Sequence, residues 1–246
     1  MRAFAIPVAL MLLAGGALVA DETPRQLIER AIAAHGGYER LASARAERLK
    51  LKGTMYAGAS SVPFTSDQAV ELPGRYRSAV RVTQGMNTHT VVHAIDGDKA
   101  AVWIDGRSMP VSATHRAQLL QALQLHQAMK LVPLLSDPSF TLRPLGQFTV
   151  NGRTVVGLRV TGKLQRDLTV YFGRETALLV KTDHLVDGPG GKDVRQEAFY
   201  SDYREMGGHR RPAKVVVYRD GKKVMEAEVV EVRPAERIDP EELTRP

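Results

Sequence analysis

The stretch that decides the fold is residues 140–232, which contains the segments FTVNGRTVVGLRV (148–160) and VVVYRDGKKVMEAEVV (215–230). In each segment, two runs of strand-forming residues flank a turn pair, Asn151-Gly152 in the first and Asp220-Gly221 in the second. Such pairs supply the positive φ angles that a type I′ hairpin requires. The stretch therefore predicts an antiparallel meander.

The strand pattern continues through most of the chain. Apolar and polar residues alternate at 168–172 and 225–229, which is the period of strands with one buried face. In the first half, strand-like runs separated by Asp-Gly turns occupy residues 69–72, 76–82, 90–95 and 100–104. We predict a mainly β fold of the α+β kind with about ten antiparallel strands.

The first residues have the layout of a secretory signal peptide. A charged start at Arg2 is followed by an apolar run at 3–14 and by small residues up to Ala20. The apolar run is shorter than the roughly 20 residues that a membrane anchor needs. We expect cleavage after Ala17 or Ala20, a signal peptide at 1–20 and a single domain at 21–246. The signal peptide predicts export to the periplasm or cell envelope, and because no other segment is apolar enough to cross a membrane, we expect the mature protein to be soluble there.

The composition excludes several classes of site. The chain has no cysteine, which rules out disulfides, thiolate zinc sites, cysteine nucleophiles and a lipid-modified cysteine. Its formal net charge is +7, and export argues against nucleic acid as the partner. The basic residues are dispersed except in His209-Arg210-Arg211. They form either a solubilising surface or, at Arg210 and Arg211, a contact for anionic lipid headgroups.

The sequence contains no recognisable catalytic or metal motif. The patterns G-x-S-x-G and H-E-x-x-H and the Walker phosphate loop do not occur. His89 and His93 share a strand face but are separated by about 13 Å at roughly 3.3 Å per residue, too far for one ion. We therefore expect no enzymatic activity, no metal site and no cofactor.

A first helix is predicted to follow Thr23. Thr23 can cap the helix, Pro24 suits its first position, and Gln26 completes a capping box. Apolar residues at helical spacing continue to about His35, where Gly36-Gly37 ends the helix. This helix is expected to lie on an apolar surface.

A second helix is predicted over about residues 114–131, and it is apolar on two sides. Leu119 and Leu123 occupy one side, and Leu125 and Met129 another. Such a helix contacts protein on both sides, or protein on one side and a ligand on the other. Both interpretations stay open, as does a kink at 124–127 that would divide the segment into two short helices.

Several segments resemble the outer-membrane lipoprotein-sorting proteins of the LolA/LolB-like superfamily. They are HGG (35–37), YFGRETALLVK (171–181), QEAFYSDYRE (196–205), RPAK (211–214) and YRDGK (218–222). The order of elements is similar too: a capped helix, a meander, a helical insert and a second meander. The resemblance implies an open antiparallel half-barrel wrapping helices. In the sorting proteins its apolar cavity carries acyl chains across the periplasm.

The resemblance implies a periplasmic or envelope carrier that binds a lipid or a lipoprotein acyl chain, with peripheral contact to a membrane. The candidate residues of the cavity and its lid are Leu119, Leu123, Met129 and Trp103. The alternative is an envelope sensory or partner-binding module that uses the same scaffold, with a filled core and an envelope protein as its partner.

Overall fold

A single antiparallel sheet of 13 strands makes up most of the structure, a computed structural model that describes residues 22–245. The expected signal peptide at 1–20 lies outside the described residues. The strands are β1 (Ala46–Ala57), β2 (Ser60–Glu71), β3 (Arg75–Gln84), β4 (Asn87–Asp96), β5 (Lys99–Ile104), β6 (Arg107–Met109), β7 (Phe140–Val150), β8 (Arg153–Gly162), β9 (Leu168–Gly173), β10 (Leu179–Asp187), β11 (Asp193–Met206), β12 (His209–Arg219) and β13 (Lys222–Ala235). The helices are α1 (Pro24–Ala34), α2 (Tyr38–Ser43), α3 (Ala113–Met129) and α4 (Val132–Ser136), with short 3₁₀ turns at Pro189–Gly191 and Glu242–Thr244.

The sheet consists of two meanders joined along their first and last strands. Strands β1 to β6 pair in chain order, as do β7 to β13, and β1 pairs with β13. The spatial order is β6-β5-β4-β3-β2-β1-β13-β12-β11-β10-β9-β8-β7. Because β6 and β7 do not pair with each other, they form two free edges and the sheet is open. The predicted open antiparallel half-barrel is confirmed.

The number of strands exceeds the predicted number of about ten. Strand β1 was not predicted, and β2 was predicted only at its last residues. Strand β1 contains Arg48, Lys50, Lys52 and Gly53. These residue types are depleted in strands or neutral there. Strand β6 has only three residues, too few to show a period.

Both predicted hairpin turns are present. The φ angles are 49° at Asn151 and 75° at Gly152, between β7 and β8. They are 45° at Asp220 and 75° at Gly221, between β12 and β13. Positive φ at both central residues is the property of a type I′ turn, so the two hairpin predictions are confirmed.

The first helix, α1, begins as predicted. The Gln26 N–H donates to Thr23 Oγ1 at 3.3 Å, and the Thr23 N–H donates to Gln26 Oε1 at 3.0 Å. These two bonds form the capping box. The apolar stripe of α1 is buried in a core cluster with residues of β7 to β10, which confirms that the helix lies on an apolar surface.

The second predicted helix is α3, which continues to Met129 without a kink at 124–127. The break comes at Leu131, where φ is 63° and the Val132 N–H donates to the Lys130 carbonyl at 2.7 Å. This arrangement is a γ-turn of the strained, positive-φ form, and it separates α3 from α4. Within residues 22–245, no helix is both long enough and apolar enough to cross a bilayer.

Candidate functional site

Helix α3 covers an apolar surface of the sheet, and we call the sheet face on which α1 and α3 pack the inner face. On one side of α3, Leu119 and Leu123 are buried with Val70, Tyr76 and Ile95, which belong to strands β2 to β4. This side of the helix therefore packs on the first meander.

The opposite side of α3 packs on the second meander. Leu125 and Met129 are partly buried against the core cluster that α1 forms with β7 to β10. The Tyr200 hydroxyl lies 3.7 Å from Met129 Sδ. Helix α3 thus bridges the two meanders and contacts protein on both of its apolar sides. Leu119 and Leu123 therefore lie in one cluster and Met129 against the other, and their role as ligand contacts stays a prediction.

Trp103 lies on the other face of the sheet. It is paired with Val92 across β5 and β4, and Val92 is paired with Ala79 of β3. Neighbouring residues of a strand point to opposite faces. Val92 therefore points away from Ile95, which is three positions further and packs under α3. Trp103 does not line the space beneath α3, and its prediction as a cavity residue is wrong.

Three charged residues from distant segments meet at the C-terminal end of α3, and we call them the ionic cluster. They are Glu47 of β1, Lys130 and Arg211 of β12. Lys130 Nζ lies 2.9 Å from Glu47 Oε1, and Arg211 Nη2 donates to Glu47 Oε2 at 2.8 Å. The exposed fractions of the side chains are 7% for Glu47, 12% for Lys130 and 11% for Arg211. Two buried cations therefore share one buried carboxylate.

The protonation states of Glu47 and Lys130 are set by burial and by the neighbouring charges. Burial opposes the ionisation of Glu47, but Lys130 and Arg211 outweigh it and lower the pKa of this carboxyl to about 2. Burial also lowers the pKa of Lys130, and the nearby Glu47 carboxylate opposes that effect. We infer that both groups are charged at neutral pH, because each stabilises the ionised form of the other.

Two histidines border the ionic cluster. The His209 ring contacts Arg211 Nη2, and the His126 ring packs beside Tyr76 with 5.3 Å between ring centroids. Burial lowers the pKa of His126 to about 4 despite the nearby carboxylate. Burial and then the two cations of the cluster lower the pKa of His209 to about 4 as well. Both rings are neutral at neutral pH and add no charge.

The position of Arg211 differs from the prediction. The sequence predicts Arg210 and Arg211 as surface contacts for anions, and the structure leaves only Arg210 exposed. Adjacent residues of a strand point to opposite faces, and Arg211 is turned inward to Glu47. The prediction for Arg211 is wrong, and that for Arg210 stays a prediction.

A cavity of about 420 Å³ lies beside Lys130, between α2 and the junction of α3 with α4. Leu41, Leu72 and Val132 contribute apolar surface to its wall. The volume falls within the range of about 300–1,000 Å³ that small-molecule sites occupy. Lys130 also lines the cavity, with its amine buried from solvent and turned to Glu47.

The sequence analysis missed Glu47 and Lys130. Glu47 belongs to the unpredicted strand β1, and nothing local marks it as buried. Lys130 did carry a signal, because it interrupts the apolar residues Met129, Leu131 and Val132. A charged residue in such a position is paired when the segment is buried.

Histidines do meet in the structure, but not as a metal site. His93 of β4 and His115 of α3 have ring centroids 5.0 Å apart, a contact that sequence spacing does not reveal. Burial lowers the pKa of His93. Two rings do not complete the coordination of a metal ion. Among residues 22–245, no group of three or more His, Asp or Glu residues is placed to hold one.

No protein-family model and no curated protein matches the chain. Solved structures do match it. A LolA superfamily protein from Nitrosomonas europaea is 10% identical with a TM-score of 0.57, covering 89% of this chain and 96% of that one. A DUF1329 family protein from Desulfovibrio piger is 10% identical with a TM-score of 0.58, covering 89% and 98%. A domain from Vibrio parahaemolyticus, assigned to outer membrane lipoprotein sorting, is 9% identical with a TM-score of 0.55, covering 89% and 94%.

These similarities establish the fold. They extend over nearly the whole of the described chain, so the LolA-like fold that the sequence resemblance implies is confirmed. At such low identity a shared fold does not transfer a function.

Proposed function

We propose that the protein is a carrier of the periplasm or cell envelope that holds a lipid or acyl chain on the inner face of its sheet. The observation that carries this proposal is the position of α3. The helix covers two apolar clusters at once, one on each meander. If α3 moves away, an apolar surface is exposed that an acyl chain can cover in its place.

The polar contacts that hold α3 are compatible with such a movement. Arg116 of α3 pairs with Asp98 at 2.9 Å, in a surface ion pair of a type that contributes at most about 1 kcal/mol. Gln121 Nε2 donates to the Leu185 carbonyl at 2.9 Å. Such contacts are replaced by water at little net cost. Apolar burial is therefore the main force that keeps the body of α3 on the sheet, while the buried Lys130–Glu47 ion pair anchors its C-terminal end.

Helix α3 and an acyl chain both gain free energy by burying apolar groups on the same surface of the sheet. An acyl chain of about 16 carbons gains roughly 13 kcal/mol gross on burial, at about 0.8 kcal/mol per methylene. The leucines of α3 gain from the same surface when the ligand is absent. Because helix and ligand compete for one surface, binding and release become a shift between two states, one with α3 and one with the ligand on the sheet. A carrier needs this property in order to deliver its cargo.

The fold comparisons support this proposal. The Vibrio parahaemolyticus domain, whose fold is similar to that of this chain, is assigned to outer membrane lipoprotein sorting. Envelope trafficking of a lipid or lipoprotein is the role that follows from the proposal.

Binding of an uncharged apolar fluorophore, N-phenylnaphthylamine, tests the proposal. We expect the wild-type protein to bind it, and Leu119→Lys and Leu123→Lys to weaken binding by about tenfold or more, because the lifted helix covers the bound ligand and a lysine there would place an unpaired charge against it. Gln118→Lys is the matched control, since Gln118 is exposed on the same helix. Thermal unfolding verifies that each variant is folded.

Two outcomes contradict the carrier. One is a wild-type protein that binds no apolar probe, and the other is a pair of folded leucine variants that bind as well as the control. Either result favours the partner-binding module, in which α3 is a permanent part of a filled core.

A further inference from the structure

The ionic cluster contains more positive charge than its partners balance. Glu47 is the single carboxylate, whereas Lys130 and Arg211 are both cations. The bordering histidines do not change this balance, because their pKa values near 4 leave them neutral. Among the described residues, Arg211 Nε is buried without a hydrogen-bond partner. A buried site with excess positive charge is unfavourable unless an anion completes it.

One of the two cations can be released while Glu47 keeps a partner. If Lys130 turned toward another anion, Arg211 would still donate to Glu47 at 2.8 Å, and the carboxylate would not be left unpaired. Lys130 is the cation that can turn, because it lines the cavity beside α2 while Glu47 and Arg211 do not.

The cavity is lined by more positive than negative side chains. Besides Lys130, its lining contains Arg45, Lys163 and one carboxylate, Asp137. Asp137 Oδ2 lies 3.1 Å from Lys163 Nζ, so these two charges neutralise each other. Arg45 is exposed at the rim and has no ion pair among the described residues. The cavity therefore presents Arg45 to an anion that enters it, and Lys130, whose amine is buried against Glu47, adds a second cation when its side chain turns toward that anion.

We propose that this cavity takes the anionic head of the carried ligand, a carboxylate or phosphate on an acyl chain, with Lys130 as the principal contact and Arg45 at the rim. The inference rests on the proposed carrier function and specifies its ligand class. Lys130 directly follows α3 in the chain. A head bound at Lys130 therefore starts the acyl chain next to the apolar surface that α3 covers.

The test compares three ligands of one chain length: palmitate, hexadecyl phosphate and uncharged hexadecanol. Each ligand is titrated against N-phenylnaphthylamine bound to the wild-type protein and to Lys130→Met, and the displacement of the probe is measured. We expect at least one anionic ligand to bind the wild type about tenfold more tightly than hexadecanol. Lys130→Met should weaken that ligand by about 10- to 100-fold, the worth of a charge-assisted hydrogen bond, and should change hexadecanol binding by less than about threefold.

Two further variants separate a local contact from a general charge effect. Lys52→Met removes the same charge from β1, where Lys52 forms an exposed pair with Glu228 at 3.4 Å, and should leave all three ligands unchanged. Arg45→Gln alters an exposed residue that the fold does not need, so it keeps the test decisive if Lys130→Met does not fold. Arg45→Gln should weaken the binding of the anionic ligands only.

Carboxyl-labelled palmitate gives a readout that a merely structural role of Lys130 would not move. The NMR titration of bound palmitate reports the pKa of its carboxyl. That pKa should be lower in the wild type than in Lys130→Met, because a nearby ammonium group favours the carboxylate.

The outcomes are distinguishable. Preference for palmitate or for hexadecyl phosphate supports the inference and identifies the head. Equal binding of all three ligands, unaffected by Lys130→Met, overturns the inference and leaves the carrier in place. If none of the three ligands displaces the probe, hexadecanol included, both the carrier proposal and this inference are refuted.

Discussion

Glu47 stabilises two cations that have little access to water, and its contribution can be measured by removing its charge. In Glu47→Gln, Lys130 and Arg211 would remain buried without a counter-charge. Breaking a buried ion pair in this way costs about 3–5 kcal/mol, which corresponds to a fall of roughly 10 °C in Tm for a chain of this size. Thermal unfolding followed by circular dichroism at neutral pH measures the change.

Glu228→Gln is the control for this variant. Glu228 pairs with Lys52 on the surface at 3.4 Å, and such pairs contribute about 1 kcal/mol or less. If both variants lose the same small amount of stability, the ionic cluster does not have the energetic role described here.

The histidines beside the cluster make stability depend on pH. In the folded protein the pKa values of His126 and His209 are about 4, whereas the unfolded value is about 6.5. Between these values the unfolded chain binds more protons, so stability falls as the pH is lowered from about 6.5 toward 4. Below about 4.5, protonation of Glu47 in the unfolded chain adds to the loss.

We expect Tm to fall by roughly 5–10 °C between neutral pH and about pH 5, for a loss of a few kcal/mol. His126→Phe should reduce this dependence, because it removes one of the groups that must stay neutral. A Tm that is constant over this range in the wild type would show that these histidines are already accessible to protons in the folded state.

At the scale of the elements, the parts that local signals define were predictable. The capping box of Thr23 and Gln26 fixed the start of α1, and the turns at Asn151-Gly152 and Asp220-Gly221 fixed two hairpins. Strand β1 was not predictable, because its place between β2 and β13 is set by pairing with residues at the far end of the chain. No local pattern reports such a contact.

The pairing of β1 with β13 depends on a glycine. A Cβ atom at Gly53 would lie 2.0 Å from the Glu226 carbonyl oxygen and 2.8 Å from the Phe64 ring. The backbone cannot move aside without disturbing the junction of the two meanders. We predict that Gly53→Ala destabilises the protein by about 1–3 kcal/mol or more, the usual cost of overpacking.

Urea denaturation of Gly53→Ala and of Gly74→Ala compares this site with an open one. At Gly74 the nearest atom to an added Cβ is 4.0 Å away, so that variant should stay within about 0.5 kcal/mol of the wild type. Equal stability of the two variants would mean that β1 and β13 are not as closely paired as described.

At the scale of the whole molecule, the sequence predicted the open half-barrel but not the site. The periodicity of a helix showed that Leu119 and Leu123 share one side of α3 and that Met129 lies on another, and their role as ligand contacts stays a prediction. Trp103 was misplaced because the face of a strand residue depends on register, which the sequence does not reveal. The ionic cluster was missed because its three members come from β1, the end of α3 and β12, and only the folded sheet brings them together.

The central claim is that the inner face binds an apolar ligand, and mass spectrometry of the native protein tests it most directly. The protein is purified without detergent from the envelope of expressing cells, and its native mass is compared with its denatured mass. The carrier predicts a defined lipid at close to one per chain, recovered by extraction and absent from folded Leu119→Lys. A protein that is empty as purified and does not take up added lipid would contradict the account.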